Sequence, residues 1–395
     1  MKILFSIAAI ILCLSMLIFP KETFEAASMG LNTWFTVVFP SLLPFFIMAE
    51  LFTSLGIVHF ISILLEPIMR PLFNLPGSAA FVVSMGYTSG FPIGAALTAS
   101  LRSQKLCTRL EGERLISFTN NASPLFIFVA VAVGLFRQPT LGIILAIAHY
   151  GTNLFIGLVS KYFTRNDPEK LNEQVNKSNL LIRSLEAMFK AQKNDGRPIG
   201  KLLGDAVSKS IISLTAIGGF IILFAVIIRL LSLLGVINVL VKILAFIFTP
   251  LGFSHDLISA FSTGFFEMTL GAKMASESSA PLQQQIIAAS MILAWGGLSV
   301  HAQILSMISN TDLRFFPFII ARIAHMILSG LLVMLLFKTQ PATFIELPVT
   351  TSPTLSGYVL IPFVISLLSL LLPLFIVFFL FILLKTTWLI FRIKR

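Results

Sequence analysis

Glu267 is the residue of this chain that is best placed for chemistry inside a membrane. It lies in the apolar stretch 263–271, which glycines interrupt. A carboxylate at membrane depth is costly and marks a functional site by default. It could bind a cation or take up a proton, so H+ and Na+ are both candidate coupling ions. A structural ion pair with Lys273 or Arg322 is the alternative.

A second interrupted stretch, 86–94, occupies the matching place in the first half of the chain. Glycine and proline free backbone groups that lipid cannot satisfy, so each stretch must lie within protein or line a wet cavity. Paired interruptions of this kind point to the binding site of a transporter. The N-termini of the resulting half-helices can bind anions, whereas close helix packing alone is the alternative. Candidate solute-binding residues here are Thr88, Ser89, Gly90, Gly94, Thr263, Gly264, Thr269 and Gly271.

Two further interruptions follow the first pair, at 120–124 and 295–303. Their amide and hydroxyl groups could hydrogen-bond a polar solute, and Trp295 could stack on a flat ring. Polar side chains also hold helices together in membranes, where each contributes about 1 kcal/mol. The candidate solute-binding residues are Asn120, Asn121, Ser123, Trp295, Ser299 and Gln303.

Three basic or titratable residues lie within apolar segments farther along the two halves, one in the first half and two in the second. His149 and His325 are either satisfied packing residues or members of a proton relay. Arg322 lies one turn before His325, and we expect it to be a counter-charge for an anionic solute or for Glu267.

Composition places these residues in an integral membrane protein. Hydrophobic residues make up 56% of the chain and charged residues 11%, and the mean hydropathy is +0.95, which no soluble domain approaches. Cys13 and Cys107 suggest no disulfide framework, and no Cys/His spacing predicts a metal site. The chain contains no phosphate loop, dinucleotide fingerprint or nucleophile elbow. We therefore expect a protein that is not an enzyme and carries no cofactor or metal.

Apolar stretches long enough to cross a bilayer require about 20 residues. They are predicted at 3–19, 34–55, 115–136, 139–160, 211–234, 285–308, 316–337 and 358–384. The stretches 57–101 and 236–275 are predicted to be re-entrant helical hairpins. Residues 3–19 are expected to form an uncleaved helix; a signal peptide cleaved near residues 26–28 is the alternative. Segment 164–205 is predicted to be a partly helical linker on the membrane surface.

The basic residues predict orientation. One set of loops, together with both termini, holds 20 of the 28 Lys and Arg residues. By the positive-inside rule this set is cytoplasmic. The net charge of +11 is then a topology signal, and no nucleic-acid partner is expected.

Short matches recur at a separation of 176 to 179 residues. Leu55-Gly56 is repeated at Leu234-Gly235, and 147–149 at 323–325. The predicted topology runs the equivalent spans in opposite directions, which is the inverted repeat of many secondary transporters. The fold class is therefore an all-α polytopic membrane protein. It has two inverted-topology repeats, each with a re-entrant broken hairpin, and flanking N- and C-terminal transmembrane helices. The predicted units are an N-terminal helix 1–28, repeat one 29–163, a cytoplasmic linker 164–205, repeat two 206–337, and 338–395 with an external loop, a helix and a basic tail.

The segments 85–94, 120–124, 264–273 and 295–303 resemble the YlbJ family of sporulation integral membrane proteins. That family carries a nucleoside-recognition "gate" domain related to concentrative nucleoside transporters, and the resemblance covers roughly residues 30–340. It implies a role in endospore formation at the membrane that the mother cell places around the forespore, in maturation of the spore cortex, and in moving dipicolinic acid. The first hairpin has no acid equivalent to Glu267, so the site is expected to be asymmetric.

The leading hypothesis is a transporter of a small anionic solute that works by alternating access. The alternatives are a membrane assembly factor for the spore envelope that moves nothing, a nucleoside-type transporter, and a channel. The lipid bilayer is the expected environment, and other sporulation membrane proteins or a second copy of the chain are candidate partners.

Overall fold

The computed structural model describes residues 2–164, 169 and 179–339, and every regular element in this part of the chain is a helix. The α-helices, in chain order, are α1 Lys2–Ile18, α2 Pro20–Thr33, α3 Phe39–Ser54, α4 Ile57–Ile68, α5 Ala79–Ser89, α6 Ile93–Ser103, α7 Arg109–Thr119, α8 Leu141–Ser160, α9 Leu180–Asp195, α10 Ile199–Leu233, α11 Val236–Phe248, α12 His255–Phe266, α13 Met268–Ser276, α14 Leu282–Trp295, α15 Gly297–Ile308 and α16 Phe316–Thr339. Wider π-helical turns occur at Trp34–Val38, Met69–Phe73 and Phe126–Leu135, and a 3₁₀ turn at Lys161–Thr164.

Five helical segments of the described chain are long and apolar enough to cross a bilayer. They are Pro20–Ser54, Leu141–Ser160, Ile199–Leu233, Leu282–Ile308 and Phe316–Phe337. The four spans predicted at 139–160, 211–234, 285–308 and 316–337 each fall on one of these segments. The described part of the chain is therefore all-helical, with several segments able to cross a membrane, as the composition predicts.

The span predicted at 34–55 begins too late. The π-turn Trp34–Val38 joins α2 to α3 without a break, so one helical segment of 35 residues runs from Pro20 to Ser54. The predicted boundary at 28–29 lies inside α2, and so do the candidate cleavage residues 26–28. Ala26 packs against Val226 and Leu230 of α10.

The predicted linker also ends earlier than residue 205. Helix α10 starts at Ile199, directly after Pro198, where a residue without an N–H costs the helix nothing. The boundary predicted at 205–206 therefore falls within α10. The predicted partial helicity is confirmed by α9, while residues 165–168 and 170–178 lie outside the described part.

Helix α9 lies against the end of α3 and against α4. The Gln192 side chain donates to the Leu55 carbonyl at 2.9 Å, and Arg183 pairs with Glu66 at 2.6 Å. The apolar side chains Leu181 and Phe189 stay exposed, which agrees with an amphipathic helix at a membrane surface.

Of the two predicted terminal helices, the structure describes the N-terminal one and not the C-terminal one. The stretch predicted at 3–19 forms α1, whose 17 residues are near the lower limit for a span. The predicted external loop 338–357, the helix 358–384 and the basic tail lie outside the described residues, apart from the last turn of α16.

Each half contains a short helical hairpin that covers fewer residues than the predicted ranges 57–101 and 236–275. Helix α4 and the π-turn Met69–Phe73 precede the first hairpin, which comprises α5 and α6 with its tip at 90–92. The second hairpin comprises α12 and α13 with its tip at Glu267. A Cβ added to Gly271 would lie 2.3 Å from the Gly264 Cα, so α13 folds back tightly along α12.

The two halves pass through the same order of elements. In each half a long helix ends at a leucine, and a glycine with positive φ starts a short helix; φ is 73° at Gly56 and 75° at Gly235. A hairpin, a broken helix and an unbroken helix then follow. His149 of α8 and His325 of α16 occupy equivalent places, and their rings are 4.6 Å apart. Equivalent residues that touch are expected beside a two-fold axis.

The loops predicted to share one face contact each other. Arg102 in the last turn of α6 pairs with Asp312 at 2.7 Å, and Arg314 pairs with Glu113 at 2.8 Å. These ion pairs join the α6–α7 region of the first half to the α15–α16 loop of the second. We call this side of the molecule the loop face.

Candidate functional site

Both hairpin tips and both helix breaks meet at one small pocket of about 60 Å³. Ser89, Gly90 and Phe91 line it from the first tip. Glu267, Met268 and Thr269 line it from the second tip. Ser123 of the first break, and Ser299 and Gln303 of α15, complete the polar part of the wall. The interruptions that the sequence pairs are thus neighbours in space.

A larger cavity of about 510 Å³ adjoins this pocket. The two share Ser89, Phe91, Ser123 and Gln303 in their walls. The larger cavity extends to Glu50 and Thr53 at the end of α3 and to Met307 at the end of α15, which is toward the loop face. Its volume is that of a pocket for a small organic molecule.

Glu267 forms the acidic wall of the small pocket. It interrupts the helix with extended backbone dihedrals, φ −142° and ψ 119°, and its side chain caps α13. The carboxylate accepts a hydrogen bond from the Leu270 amide at 2.7 Å, and the Thr269 amide and hydroxyl add further hydrogen bonds. Lys273 instead contacts the Thr33 hydroxyl and Glu277. Glu267 is 3% exposed, so it faces the pocket without reaching bulk water.

The first break is held by asparagine side chains. The Asn120 Oδ1 accepts from the Ala95 amide at 2.9 Å and so caps α6 of the first hairpin. The backbone carbonyl of Asn121 accepts from the Phe91 amide at 2.8 Å. Asn153 of α8 donates to the Phe118 carbonyl at 2.5 Å and also to Asn121. These bonds satisfy backbone groups that the break frees.

The two histidines support this region from behind. The Ala122 amide donates to the Nε2 of His149 at 3.2 Å, and His325 contacts the His149 carbonyl through its Nε2 at 2.8 Å. Neither ring lines the small pocket or the larger cavity. The geometry places both in packing between α8 and α16, and a proton-relay role remains a prediction without a path in this structure.

The second break depends on glycine. Gly296 and Gly297 have φ values of 85° and 77°, a conformation that side chains disfavour. A Cβ on Gly297 would lie 2.9 Å from the Phe266 carbonyl oxygen, so the second tip rests directly on this break. The Trp295 ring stacks on Phe265 at 5.6 Å and lies 4.3 Å from His301. Its stacking on a solute remains a prediction.

Arg322 does not contact Glu267. Its guanidinium donates to backbone carbonyls of both breaks and to the Asn153 side chain. Its expected role as a counter-charge for Glu267 is therefore corrected: the helix ends, and not an acid, supply its acceptors. It lies outside both cavity walls.

The predicted residues divide into two groups. Those that line one of the cavities are Thr88, Ser89, Gly90, Ser123, Glu267, Thr269, Ser299 and Gln303. Those that lie behind the walls are Gly94, Asn120, Asn121, Thr263, Gly264, Gly271, Trp295, His149, His325 and Arg322. Sequence reasoning missed Phe91 and Asn153; an asparagine in the middle of an apolar span was the available signal for the latter.

Neither cavity is lined by Lys or Arg among the described residues. Positive potential comes instead from helix N-termini, since α13, α15 and the π-helix Phe126–Leu135 all begin beside the small pocket. Glu267 caps α13, and Ser123 accepts from the Phe126 amide at 3.2 Å. The N-terminus of α15 has no side-chain cap. Within the described chain no group of three His, Cys, Asp or Glu could hold a metal ion.

Comparison with known proteins agrees with this geometry. Residues 35–157 and 214–311 match the family model described as Gate, nucleoside recognition. The sporulation integral membrane protein YlbJ of Bacillus subtilis (strain 168) is 46% identical over 320 residues, which are 81% of this chain and 78% of that protein. The chain belongs to the YlbJ family.

Membership confirms the resemblance carried by the four interrupted segments. The two matched parts of the Gate domain fall within the two halves of the fold, one on each side of α9. This YlbJ-family chain is therefore a multi-pass sporulation membrane protein with a nucleoside-recognition gate domain. No solved structure matches it.

Proposed function

We propose that this protein is a secondary transporter that moves a small anionic solute across the mother-cell-derived forespore membrane. The supporting observation is the meeting of two hairpin tips and two helix breaks at one pocket inside a multi-pass protein. Gate-domain membrane proteins are generally transporters and not enzymes. Irregular backbone at membrane depth is tolerated where it lines a cavity.

The two halves are inverted-topology repeats, and the mechanism is alternating access between them. The matching order of elements and the contact between His149 and His325 support this. With the loop face cytoplasmic, as the basic residues predict, the 510 Å³ cavity opens inward. Both termini are then also cytoplasmic.

Dipicolinate is the favoured solute. Its carboxylates match the uncapped N-terminus of α15 and the donors Ser89, Ser123 and Ser299, and its flat ring matches Phe91. Glu267 carries a coupling ion, because an ionised carboxylate would repel the dianion unless a proton or a cation accompanies it. Other sporulation membrane proteins, or a second copy of the chain, are candidate partners.

A nucleoside-type transporter is the second candidate. The description of the family model favours it, and the aromatic residues Phe46, Phe91 and Phe220 in the cavity wall suit a base as well as a pyridine ring.

The test is uptake into proteoliposomes of radiolabelled dipicolinate and, separately, of a nucleoside. Glu267→Gln and Ser89→Leu are each expected to reduce dipicolinate uptake at least tenfold while the protein remains inserted and abundant. Glu277→Gln and Ser103→Leu are the matched controls, since both residues are exposed. Nucleoside uptake alone would favour the second candidate. If neither solute crosses under any ion gradient, the transport proposal fails and a non-transporting assembly factor becomes the better explanation.

A further inference from the structure

Arg322 is a fully buried cation within a membrane-spanning helix. It lies in α16, is 0% exposed, and its guanidinium carbon lies 5.4 Å from the Phe318 ring. Arginine remains charged in proteins, and a charge at this depth is expensive unless its surroundings compensate for it. The compensating groups therefore indicate what this charge is for.

The compensating groups are the C-terminal ends of two half-helices. At the end of α7, the guanidinium donates to the Ser117 carbonyl at 2.7 Å and to the Asn120 carbonyl at 3.0 Å. At the end of α14 the Ala294 carbonyl lies 3.5 Å away. These ends carry partial negative charge.

One side-chain oxygen completes the set. The Asn153 Oδ1 accepts from Arg322 at 2.7 Å. Four oxygen atoms from three helices thus surround a single positive charge, and none of the four belongs to a carboxylate. The titratable neighbours on the adjacent elements are His149, His325, His301 and Tyr87.

Convergent half-helix C-termini and unwound carbonyls are the groups with which secondary transporters coordinate a coupling cation. Here a guanidinium with five N–H donors in a fixed fork occupies that position. The repeat matches at a separation of 176 place Ala146 at the equivalent position of the first half. A single side chain therefore serves both breaks.

We propose that Arg322 is a tethered cation: it permanently fills the centre between the two breaks, so the protein needs no Na+ there. Arg322 acts as a positioning residue that keeps the ends of α7 and α14 together while the hairpins move. This inference deepens the proposed function, because it leaves Glu267 as the site of the coupling ion and assigns none to the centre between the two breaks. It rests on that function only where uptake is measured.

The first test measures the thermal unfolding midpoint of the purified full-length protein in detergent. Wild type is expected to give the same midpoint in NaCl, KCl and choline chloride at matched ionic strength. Arg322→Ala is expected to lower the midpoint by several degrees, whereas Arg229→Ala, an exposed arginine of α10, is expected to change it little. A midpoint that rises specifically with Na+ in both wild type and Glu267→Gln would overturn the proposal, since Glu267 is the other candidate ion site.

Chemical rescue separates charge from shape. Guanidinium at low millimolar concentration is expected to reverse at least half of the decrease in unfolding midpoint that Arg322→Ala causes. Urea, its neutral counterpart of similar shape, is expected to reverse none of that decrease. Equal rescue by both would reduce Arg322 to a space-filling residue and overturn the inference. If Arg322→Ala does not fold, Arg322→Lys replaces it: retention of the charge predicts a midpoint between those of wild type and Arg322→Met.

The uptake arm compares proteoliposomes with inward Na+ or choline gradients at equal pH. Equal dipicolinate uptake supports the tethered cation. An increase of threefold or more with Na+ contradicts it where the midpoint of Glu267→Gln also rises with Na+, and otherwise assigns the Na+ to Glu267. Absence of any uptake contradicts the transport proposal alone, because the midpoint and rescue measurements need no solute.

Discussion

In both halves the hairpin packs on the helix break, but the partner that supplies the glycines and the partner that supplies the polar side chain are exchanged. In the first half the hairpin supplies glycines and the break supplies side chains: Gly86 and Gly94 approach the Thr119 carbonyl, and Asn120 reaches back to cap α6. In the second half the break supplies glycines and the hairpin supplies the side chain, since Gly297 underlies the Glu267 tip.

This difference shows why the site is asymmetric. A close approach of two backbones requires one partner without a Cβ, and the other partner is then free to carry a functional group. The first half contributes the hydroxyl groups of Ser89 and Ser123 to the wall of the small pocket and keeps Asn120 behind that wall, where its side chain satisfies backbone. The second half places an acid, Glu267, in the wall itself. An acid at one tip is thus compatible with a repeated backbone.

The largest effect is expected from a methyl group between the first hairpin and its break. In Gly86→Ala the new Cβ would lie 2.3 Å from the Thr119 carbonyl oxygen, and neither backbone can move without distorting a helix. Overpacking of this kind costs about 1–3 kcal/mol, and it should also reduce uptake. The measurement is the thermal unfolding midpoint of the purified protein.

Gly219→Ala is the matched control for this substitution. Gly219 is also helical, but a Cβ added there would meet nothing within 4 Å. Equal midpoints for the two variants would mean that the first hairpin does not pack on its break as described.

A smaller effect is expected from the asparagine that links hairpin and break. Asn120→Ala removes the cap of α6 and the bond from the Asn120 amide to the Ile116 carbonyl at 2.8 Å. Loss of a cap costs about 1 kcal/mol, so the denaturation midpoint should fall moderately. Asn310→Ala, in the exposed loop after α15, is the control. If both substitutions have the same effect, hydrogen bonds do not hold the first half together and the contrast between the halves fails.

Much of this arrangement could be predicted from the sequence, because lipid imposes strict rules on backbone. The glycines and prolines at 86–94 and 263–271 locate both hairpins, and Leu55-Gly56 with Leu234-Gly235 locate the equivalent turns. The partners of Arg322 could not be predicted, because the local sequence pattern does not indicate that the ends of α7 and α14 meet at α16. The predicted starts of two helices were wrong. The helices begin earlier, at Pro20 and Ile199, because polar and apolar turns form one continuous helix there and hydropathy marks no boundary.

The smallest effect is expected where ion pairs join the two halves at the loop face. Hydrogen bonding to Arg102 lowers the pKa of Asp312 below its ordinary value. A carboxylate with a lowered folded-state pKa stabilises the fold above its unfolded pKa of about 3.9 and loses that contribution as the pH falls through the folded value. The midpoint should therefore be insensitive to this pair between about pH 5 and 8 and should decline below about pH 4.

Because half of the Asp312 side chain is exposed, solvent screening limits the contribution of this ion pair to at most about 1 kcal/mol. Asp312→Asn should decline less than wild type between pH 6 and pH 3.5 in low salt, and the two should converge in high salt. Identical acid profiles in low salt would show that this ion pair does not stabilise the contact between the halves, which would leave the Arg314–Glu113 pair and the buried helix ends around Arg322 to do so.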